Sequence, residues 1–380
     1  MKRLIEEYEE WINSTWKKIE KKLTLTAELS NNKIPYSTVN GIHDNCITSE
    51  APHNIAWWTN GFWPGIMWLM YYATGNDAFK KTAEYAERAL DNALTNASRI
   101  DHDLGFMWHL SAGADYRITG NEQAKNRNLL AALLLAGRFN HDGGFIRAWN
   151  NTGYEGYAII DCMMNIPLLY WASDETGDPR FRQIAMKHAD KTMNNHVRPD
   201  GSVYHILQFD PETGDFIKAP TTQGYDAATS SWSRGQGWAL YGFILSYIHT
   251  GKQEYLDASK KVAHYFISAI ADDGYVPKCD FRAPDEPFYI DTTAGAVAAC
   301  GLIEIAKAVP QYEKKLYLKA AINILTALDK NHCDWTEEEH SILQNGTEAY
   351  GRGIHMPIIY GDFYFIEAVY KLKGFDFLIW

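Results

Sequence analysis

The sequence predicts an all-α protein, an (α/α)6 barrel in which six helical hairpins form a ring with apolar helices inside and amphipathic helices outside. Two observations carry this prediction: an apolar stretch that recurs six times, and amphipathic stretches between the copies. Residues 1–380 then form a single domain, although the length alone would allow two or three.

The recurring stretch ends at a Thr-Gly pair in four of its copies. These pairs stand at 74–75, 119–120, 176–177 and 250–251, and glycine just past the last turn is a common helix stop. Each stretch begins 16 or 17 residues before its glycine, and two looser copies follow. The predicted inner helices are Trp58–Tyr72, Asp103–Ile118, Asp161–Glu175, Arg234–His249, Asp291–Ala308 and Tyr360–Leu372.

Helices of a second kind are predicted between the copies. Residues 78–97, 180–193 and 254–270 place apolar side chains at steps of three and four, as a one-sided helix does. By contrast, residues 235–248 and 292–303 carry no charge on any face, as a helix buried on all sides requires. Two stacked all-α domains, or a solenoid of hairpins, would show the same local periodicity and are the alternatives.

Composition limits the classes of ligand. The chain has 36 Lys and Arg against 47 Asp and Glu, a net charge of −11, and no basic block, which argues against a surface that follows nucleic-acid phosphates. Aromatic residues make up 14%, and their flat amphipathic rings suit both core packing and stacking on sugars.

Cysteine usage and the N-terminus indicate a cytoplasmic protein. The five cysteines are widely spaced without a Cys-x-x-Cys pair, so neither a disulfide framework nor a structural zinc site is predicted. The acidic N-terminus lacks the basic start and apolar run of a signal peptide. Residues 51–76 are free of Asp, Glu, Lys and Arg, but Pro52 and Pro64 interrupt them, so no membrane span is predicted.

Parallel inner helices would bring their N-termini together at one mouth. The residues that open the six copies are then expected to meet: Trp58, Asn60, Asp103, Asp161, Arg234, Gln236, Asp291 and Asp362. Helix capping is the alternative for each aspartate, because an N-cap carboxylate accepts from the first N–H groups. Capping does not account for His102 beside Asp103, nor for Arg234 at the positive end of a helix. Converging helix N-termini favour an anionic ligand, and a sugar acid is expected.

Loops between the copies carry further polar and aromatic candidates, namely Trp149 at the end of 141–149, His205 and Gln223. The alternatives are core packing for Trp149, loop hydrogen bonding for His205 and Gln223, and pairing of Arg234 with Asp161 or Asp291.

No cofactor and no metal are expected. His102 and His109 stand seven residues apart, which is not a metal-ligand spacing, and the motifs of serine hydrolases, dinucleotide enzymes and P-loop proteins are absent from the sequence. Two carboxylates one repeat apart, with aromatics and a few cations, instead suggest acid–base chemistry on a carbohydrate.

Five motifs in order carry a family resemblance: Trp58–Trp63, His102–Phe106, Ile159–Leu169, Trp232–Trp238 and Tyr360–Tyr364. Through these motifs the chain resembles the unsaturated glucuronyl hydrolases of glycoside hydrolase family 88. The resemblance extends from about residue 10 to residue 372. The resemblance implies an (α/α)6 barrel, in agreement with the repeat.

The resemblance also implies an activity and a site. A member of this family releases the 4,5-unsaturated uronic acid from the non-reducing end of lyase-generated oligosaccharides, here with glycosaminoglycan-type disaccharides as the expected substrates. Asp161 is the implied general acid/base and Asp103 the assisting carboxylate. The implied contacts to the unsaturated uronate are Trp58, His102, Trp149, His205, Gln223, Arg234 and Trp238. One relative has Asp in place of Asn60, a difference that is not expected to alter the chemistry.

The residues suit the hydration of an enol ether. Protonation of C4 leaves an oxocarbenium-like centre at C5 that water can trap, so Asp161 must start protonated and then act as a base. Arg234, charged at any pH, is expected to hold the uronate carboxylate together with the helix N-termini. Arg352 is the candidate contact for an anionic second sugar.

Two alternative functions stay open at this stage. One is an unsaturated rhamnogalacturonyl hydrolase acting on pectin fragments, with the same fold and chemistry. The other is a non-catalytic glycan-binding barrel, since a fold by itself does not define a function. The sequence does not indicate the aglycone, its sulfation or the oligomeric state.

Overall fold

Thirteen helices form most of the computed structural model, which describes residues 2–50, 53–220, 223–226 and 229–380. In chain order they are α1 (Lys2–Glu7), α2 (Glu9–Leu29), α3 (Phe62–Thr74), α4 (Asp77–Leu94), α5 (Ala112–Thr119), α6 (Glu122–Ala136), α7 (Pro167–Thr176), α8 (Pro179–His196), α9 (Ser233–Thr250), α10 (Gln253–Ile270), α11 (Thr292–Ala308), α12 (Gln311–Asn331) and α13 (Ile359–Lys373).

From α2 onward the helices alternate between two concentric rings. The odd-numbered helices α3 to α13 form the inner ring, and the even-numbered helices α2 to α12 form the outer ring. Neighbouring inner segments pack on one another, and α13 packs against both α3 and α2, so the ring is closed. The predicted (α/α)6 barrel is confirmed, and the N-terminal α2 is the outer partner of the last inner helix.

Inner helices are buried on all faces, whereas outer helices are buried on one face only. The inner helices α9, α11 and α13 are buried continuously over residues 233–246, 292–306 and 359–372, as helices that are apolar on most faces require. The outer helix α4 instead buries residues mainly at steps of three and four between Phe79 and Leu94. In the described part of the chain, no helix has both the length and the apolar character needed to cross a bilayer.

The Thr-Gly pairs end the inner helices as predicted. The four glycines have φ between 68° and 77°, the left-handed region, and each N–H donates to the carbonyl four residues back. In three of the turns the next residue caps the following outer helix with its side-chain oxygen: Asn76, Asn121 and Asp178. One short motif therefore ends an inner helix and begins an outer one.

The first three inner helices begin later than the sequence predicts. Short turns precede them: a 3₁₀ turn at Trp58–Gly61, a π turn at Gly105–His109 and a 3₁₀ turn at Ile160–Met164. Two glycines let these turns touch, because a Cβ on Gly61 would lie 2.0 Å from the Phe106 carbonyl oxygen and one on Gly105 would lie 2.5 Å from Cα of Asn165.

Short antiparallel strands lie between the helices. The all-α prediction does not include them. They are β1 (Thr38–Val39), β2 (Ile42–His43), β3 (Phe139–Asn140), β4 (Phe145–Ile146), β5 (Tyr157–Ile159), β6 (Ile206–Phe209) and β7 (Phe216–Lys218). Strands β5, β6 and β7 form one sheet, in which Ile159 is opposite Ile206. Behind it lies a small separate core of Phe145, Ala158, Leu207 and Phe209. This sheet carries part of the site described next.

The C-terminal segment closes the opposite end of the barrel. The Trp380 ring is 2% exposed and stacks on Tyr364 at 6.0 Å, and its indole N–H donates to Glu367 at 2.9 Å. Glu367 also pairs with Lys371 at 3.1 Å, and Lys371 pairs with Glu304 at 3.0 Å. These charges are buried, but each has a partner, as buried charges need.

Candidate active site

A cavity of about 970 Å³ opens where the inner helices begin. Eight of the ten predicted site residues line it: Trp58, His102, Asp103, Trp149, Asp161, Gln223, Arg234 and Arg352. The convergence expected from the repeat therefore brings together residues as far apart in sequence as Trp58 and Arg352.

Asp103 and His102 form a buried pair at the start of the second inner segment. His102 Nδ1 lies 2.9 Å from the Ala148 carbonyl oxygen, and Nε2 lies 3.3 Å from Oδ1 of Asp103. A carbonyl oxygen only accepts, so the hydrogen-bond network places the proton on Nδ1. Burial lowers the pKa of His102, which favours the neutral ring with Nε2 as an acceptor.

The electrostatics of this pair favour a proton on Asp103. Burial, followed by the nearby carboxylates of Asp101 and Asp161, raises the pKa of Asp103 well above its usual range. A protonated Asp103 beside the Nε2 acceptor of His102 is therefore the arrangement that the surroundings stabilise.

Asp161 faces a second histidine. Its Oδ1 lies 3.2 Å from Nε2 of His205. The sheet register explains the pairing, because Asp161 follows β5 closely, His205 precedes β6, and the Ile160 N–H donates to the His205 carbonyl at 2.9 Å. His205 does not line the cavity, and its ring packs on Trp232 at 4.3 Å. The structure thus places His205 behind Asp161, where it can orient the carboxylate.

Asn165 joins the two carboxylate-bearing segments. Its Nδ2 donates to Oδ1 of Asp103 at 3.3 Å and to the Asp161 carbonyl at 3.2 Å, while its Oδ1 accepts from the Phe106 N–H at 2.8 Å. Asn165 is fully buried and is absent from the predicted site. It lies within the third motif, but nothing in its local sequence pattern reveals a bond to a residue 62 positions away.

Arg234 lines the cavity, but its Nη atoms bind groups of the protein itself. Its Nη1 donates to the Thr347 carbonyl at 3.0 Å, its Nη2 donates to the Glu348 carbonyl at 2.6 Å, and its charge pairs with Asp291 at 3.6 Å. The guanidinium also lies 4.4 Å from the Trp232 ring centroid. Pairing with Asp291 was one of the two alternatives open from the sequence, and the structure selects it.

The aspartates of the last two inner helices have structural partners. Asp291 caps α11 by accepting from the Thr293 N–H at 3.2 Å. Asp362 accepts from the Ser341 hydroxyl at 2.9 Å and from the N–H groups of Ile342 and Leu343 at 3.0 and 2.6 Å. Neither lines the cavity. For these two aspartates the structural explanation holds.

Trp238, which the family resemblance implies as a substrate contact, lies in the barrel core. Trp238 is fully buried, does not line the cavity, and packs between Phe106 at 5.3 Å and Tyr364 at 5.5 Å. It follows Arg234 by one turn of a helix that is buried on all sides, so its ring points into the barrel core. Trp232 lines the cavity instead.

Two polar residues opening the inner helices also serve the scaffold. Asn60 donates to the carbonyls of Asn54 and Ile55 at 2.9 Å. Gln236 accepts from the Val203 N–H at 3.0 Å and donates to the Gly201 carbonyl at 2.6 Å. Each holds a loop at the mouth rather than facing the cavity.

Several cavity residues were missed by sequence reasoning, namely Tyr36, His53, Trp57, Asp101, Trp232, Glu348 and Tyr360. Glu348 accepts a hydrogen bond from the Tyr36 hydroxyl and lies 3.6 Å from Nε of Arg352. Trp232 and Tyr360 are the first residues of two of the five motifs and Asp101 directly precedes a third, which is a signal that could have found them. Tyr36 and His53 come from a segment with no repeat or motif, and only the folded chain brings them to the mouth.

Asp101, His102 and Asp103 bring ligand-type atoms within 4.8 Å of one another, close enough to hold a cation. His102 Nδ1 is already used on the Ala148 carbonyl, and Nε2 lies against Asp103. The two ring nitrogens of His102 are therefore directed at the Ala148 carbonyl and at the Asp103 carboxyl group.

Comparison with known proteins identifies the same glycoside hydrolase family that the sequence motifs resemble. The model of Glycosyl Hydrolase Family 88 matches residues 32–272. An unsaturated glucuronyl hydrolase of Bacillus sp. (strain GL1) is 37% identical over 326 residues, covering 83% of this chain and 86% of that protein. An unsaturated chondroitin disaccharide hydrolase of Streptococcus pyogenes serotype M1 is 37% identical over 323 residues, covering 83% of this chain and 80% of that protein.

A solved structure extends the likeness to the fold. The crystal structure of an unsaturated glucuronyl hydrolase from Streptococcus agalactiae superposes with a TM-score of 0.88 at 33% identity, covering 97% of this chain and 93% of that one. Sequence identity above 30% over most of both proteins, the shared barrel and the paired carboxylates at its mouth lead to one conclusion. The chain is a glycoside hydrolase and belongs to family 88.

Proposed function

We propose that this protein releases the 4,5-unsaturated uronic acid from the non-reducing end of lyase-generated oligosaccharides, with glycosaminoglycan-type disaccharides as substrates. The observation that carries the proposal is the pair of carboxylates, Asp103 and Asp161, each beside a histidine in an aromatic-lined cavity. The relatives named for unsaturated glucuronyl and chondroitin disaccharide hydrolysis support the same substrate class.

Asp161 is the proposed general acid/base. It delivers a proton to C4, the positive charge that develops at C5 is trapped by water, and the carboxylate of Asp161 takes the proton that this water loses. The hemiketal at C5 then opens by breaking its bond to the ring oxygen, and C1 releases the aglycone as an alcohol. The glycosidic carbon is therefore never attacked directly, so the separation of the two carboxylates does not report inversion or retention.

Asp103 is the proposed assisting carboxylate. Its raised pKa favours the protonated form, whose single O–H can donate to Nε2 of the neutral His102 while the carboxyl oxygens can still accept from a sugar hydroxyl. Keeping Asp103 uncharged also limits the repulsion of an anionic uronate. Asn165 keeps this carboxyl at a set position relative to the Asp161 segment.

Cations and aromatic faces complete the proposed subsite. Arg234 lines the cavity, and its guanidinium charge is the proposed attraction for the uronate carboxylate. Trp58 and Trp149 offer faces for the flattened ring. Arg352, 69% exposed at the rim, is the proposed contact for an anionic second sugar.

The proposal extends to domain organisation and location. Residues 1–380 are proposed to form one catalytic domain, which the packing of α2 on α13 supports because it joins the two ends of the chain. A cytoplasmic location is proposed, and the five free cysteines, four of them buried, are consistent with a reducing compartment.

A spectrophotometric assay tests the activity. The C4=C5 bond conjugated to the carboxylate absorbs in the ultraviolet, and hydration removes this absorbance. We expect the absorbance of an unsaturated chondroitin disaccharide to disappear when enzyme is added, with an unsaturated rhamnogalacturonan disaccharide as the comparison substrate. Preference for the pectin fragment would favour the rhamnogalacturonyl alternative, and no loss with either would leave a binding protein.

A further inference from the structure

A second cavity of about 730 Å³ lies on the other side of Trp149, which lines both cavities. Its remaining walls come from the loop after Trp149 and from the sheet, through Asn151, Tyr154, Tyr157, Ile206, Lys218, Ala219 and Pro220. None of these seven belongs to the proposed catalytic or uronate-binding machinery.

Strand β5 connects the two cavities. Alternate residues of a strand point to the same face, and Tyr157 lines the second cavity while Ile159 lines the first. Two strand residues advance about 7 Å, so the two cavities lie next to each other along β5. A chain held in the first cavity could therefore continue into the second without leaving the protein surface.

The walls of the second cavity have the chemistry of an acidic-sugar site. The rings of Tyr154 and Tyr157 lie 4.5 Å apart at 32°, and Trp149 packs edge-on to Tyr154 at 5.8 Å. Tyr154 is 41% exposed, so part of this aromatic cluster faces solvent. Lys218 is exposed at the end of β7, and within the described residues no carboxylate pairs with it. The nearest acidic residue of the loop, Glu155, pairs with Arg147 instead.

We propose that this second cavity is a distal subsite for substrates longer than a disaccharide, in which Tyr154 and Tyr157 pack against a sugar ring and Lys218 binds its carboxylate or sulfate. The inference rests on the proposed function, because it places the reducing-end sugars of the same substrate. It assigns the catalytic cavity to the terminal uronate and the next sugar, and the tyrosine cavity to the sugars beyond them.

The test compares chain lengths in Tyr154→Ala and Lys218→Ala variants. Substrates are an unsaturated disaccharide and an unsaturated tetrasaccharide from the same glycosaminoglycan. We expect Tyr154→Ala to raise KM for the tetrasaccharide about tenfold, the effect of losing one stacked ring, with disaccharide kinetics unchanged. Lys218→Ala should raise the same KM about threefold at low salt and less at high salt, because the contact is exposed.

Matched controls are Tyr312→Ala and Lys315→Ala, exposed residues of the same types on the outer helix α12. The inference is overturned if Tyr154→Ala changes both substrates equally or changes neither. Tetrasaccharide binding to the Asp161→Asn protein, measured by calorimetry with and without Tyr154→Ala, gives a readout that does not need turnover. An enzyme that hydrolyses neither substrate would refute the proposed function, whereas normal disaccharide turnover without a length-dependent effect would refute the distal subsite alone.

Discussion

The first three inner segments of the barrel and the last three begin in different ways. In the first half, short 3₁₀ and π turns precede α3, α5 and α7, and the carboxyl groups of Asp103 and Asp161 face the cavity. In the second half, α9, α11 and α13 have no such preceding turn, and the carboxylates of Asp291 and Asp362 accept from backbone N–H groups.

The difference separates aspartates whose carboxyl groups line the cavity from aspartates whose carboxylates bind the scaffold. The N-cap carboxylate of Asp291 accepts from the helix that it begins, and the carboxylate of Asp362, in the first turn of α13, accepts from the segment at 341–343. A carboxylate displaced from the helix by an irregular turn keeps its oxygens for other partners, here histidines and a substrate. The first three segments, the irregular half of the ring, therefore hold the two aspartates proposed for acid–base chemistry, whereas the aspartates of the last three, the regular half, bind the scaffold.

The largest effect is expected for Asp161→Asn, which removes the proposed acid/base from the irregular half. General acid–base groups contribute about 10²- to 10⁴-fold, and one residue serves both proton transfers here, so we expect kcat to fall by at least about 10³-fold. The ultraviolet assay measures this, and the melting temperature and disaccharide affinity should stay close to those of the wild type. Asp362→Asn, the matched change in the regular half, should keep kcat within about threefold when assayed below its melting temperature. Substantial turnover by Asp161→Asn would contradict its assignment.

For the free energy of unfolding, the larger loss is expected in the regular half of the ring, at Asp362, and the smaller loss at Asp161. Asp362→Ala leaves the Ser341 hydroxyl and the N–H groups of Ile342 and Leu343 without their acceptor in a buried site. We expect the free energy of unfolding, measured by urea denaturation, to fall by about 3 kcal/mol, because buried unsatisfied donors are costly. Asp161→Ala, whose carboxylate accepts no backbone N–H among the described residues, should change it by less than about 1 kcal/mol. Equal losses in the two variants would remove the distinction between the halves.

The smallest effect is expected for Asp101→Asn and concerns the pH profile. After burial, the negative charge of Asp101 is the next cause of the raised pKa of Asp103. Replacing that charge with a neutral amide lowers the pKa of Asp103, so the carboxyl loses its proton at a lower pH. The alkaline limb of the kcat/KM profile should therefore move to lower pH, while Asp272→Asn, an exposed aspartate, should leave it in place. A shift to higher pH, or none, would show that Asp103 acts in its charged form.

Much of the ring and part of the site could be predicted from the sequence. The Thr-Gly stops and the uncharged helices follow from local periodicity and capping, which act over a few residues, and the structure confirms both. Eight predicted site residues line the cavity: the converging inner segments bring in those at their starts, and loops at the mouth add Trp149, Gln223 and Arg352. The motif around Trp238 does not distinguish a ring that faces the mouth from one that faces the core, where the structure places it.

What the sequence by itself determined is the fold class, the repeat and the chemical type of the site. Only the tertiary structure decided which aspartates are free to react, that Arg234 pairs with Asp291, that His205 supports Asp161 through the register of β5 and β6, and that Asn165 ties the two carboxylate segments together. The physical reason is the range of the interactions. Helix periodicity and caps are set by neighbours within a turn or two, whereas the hydrogen bonds and burial that select a reactive carboxylate come from segments tens to hundreds of residues away.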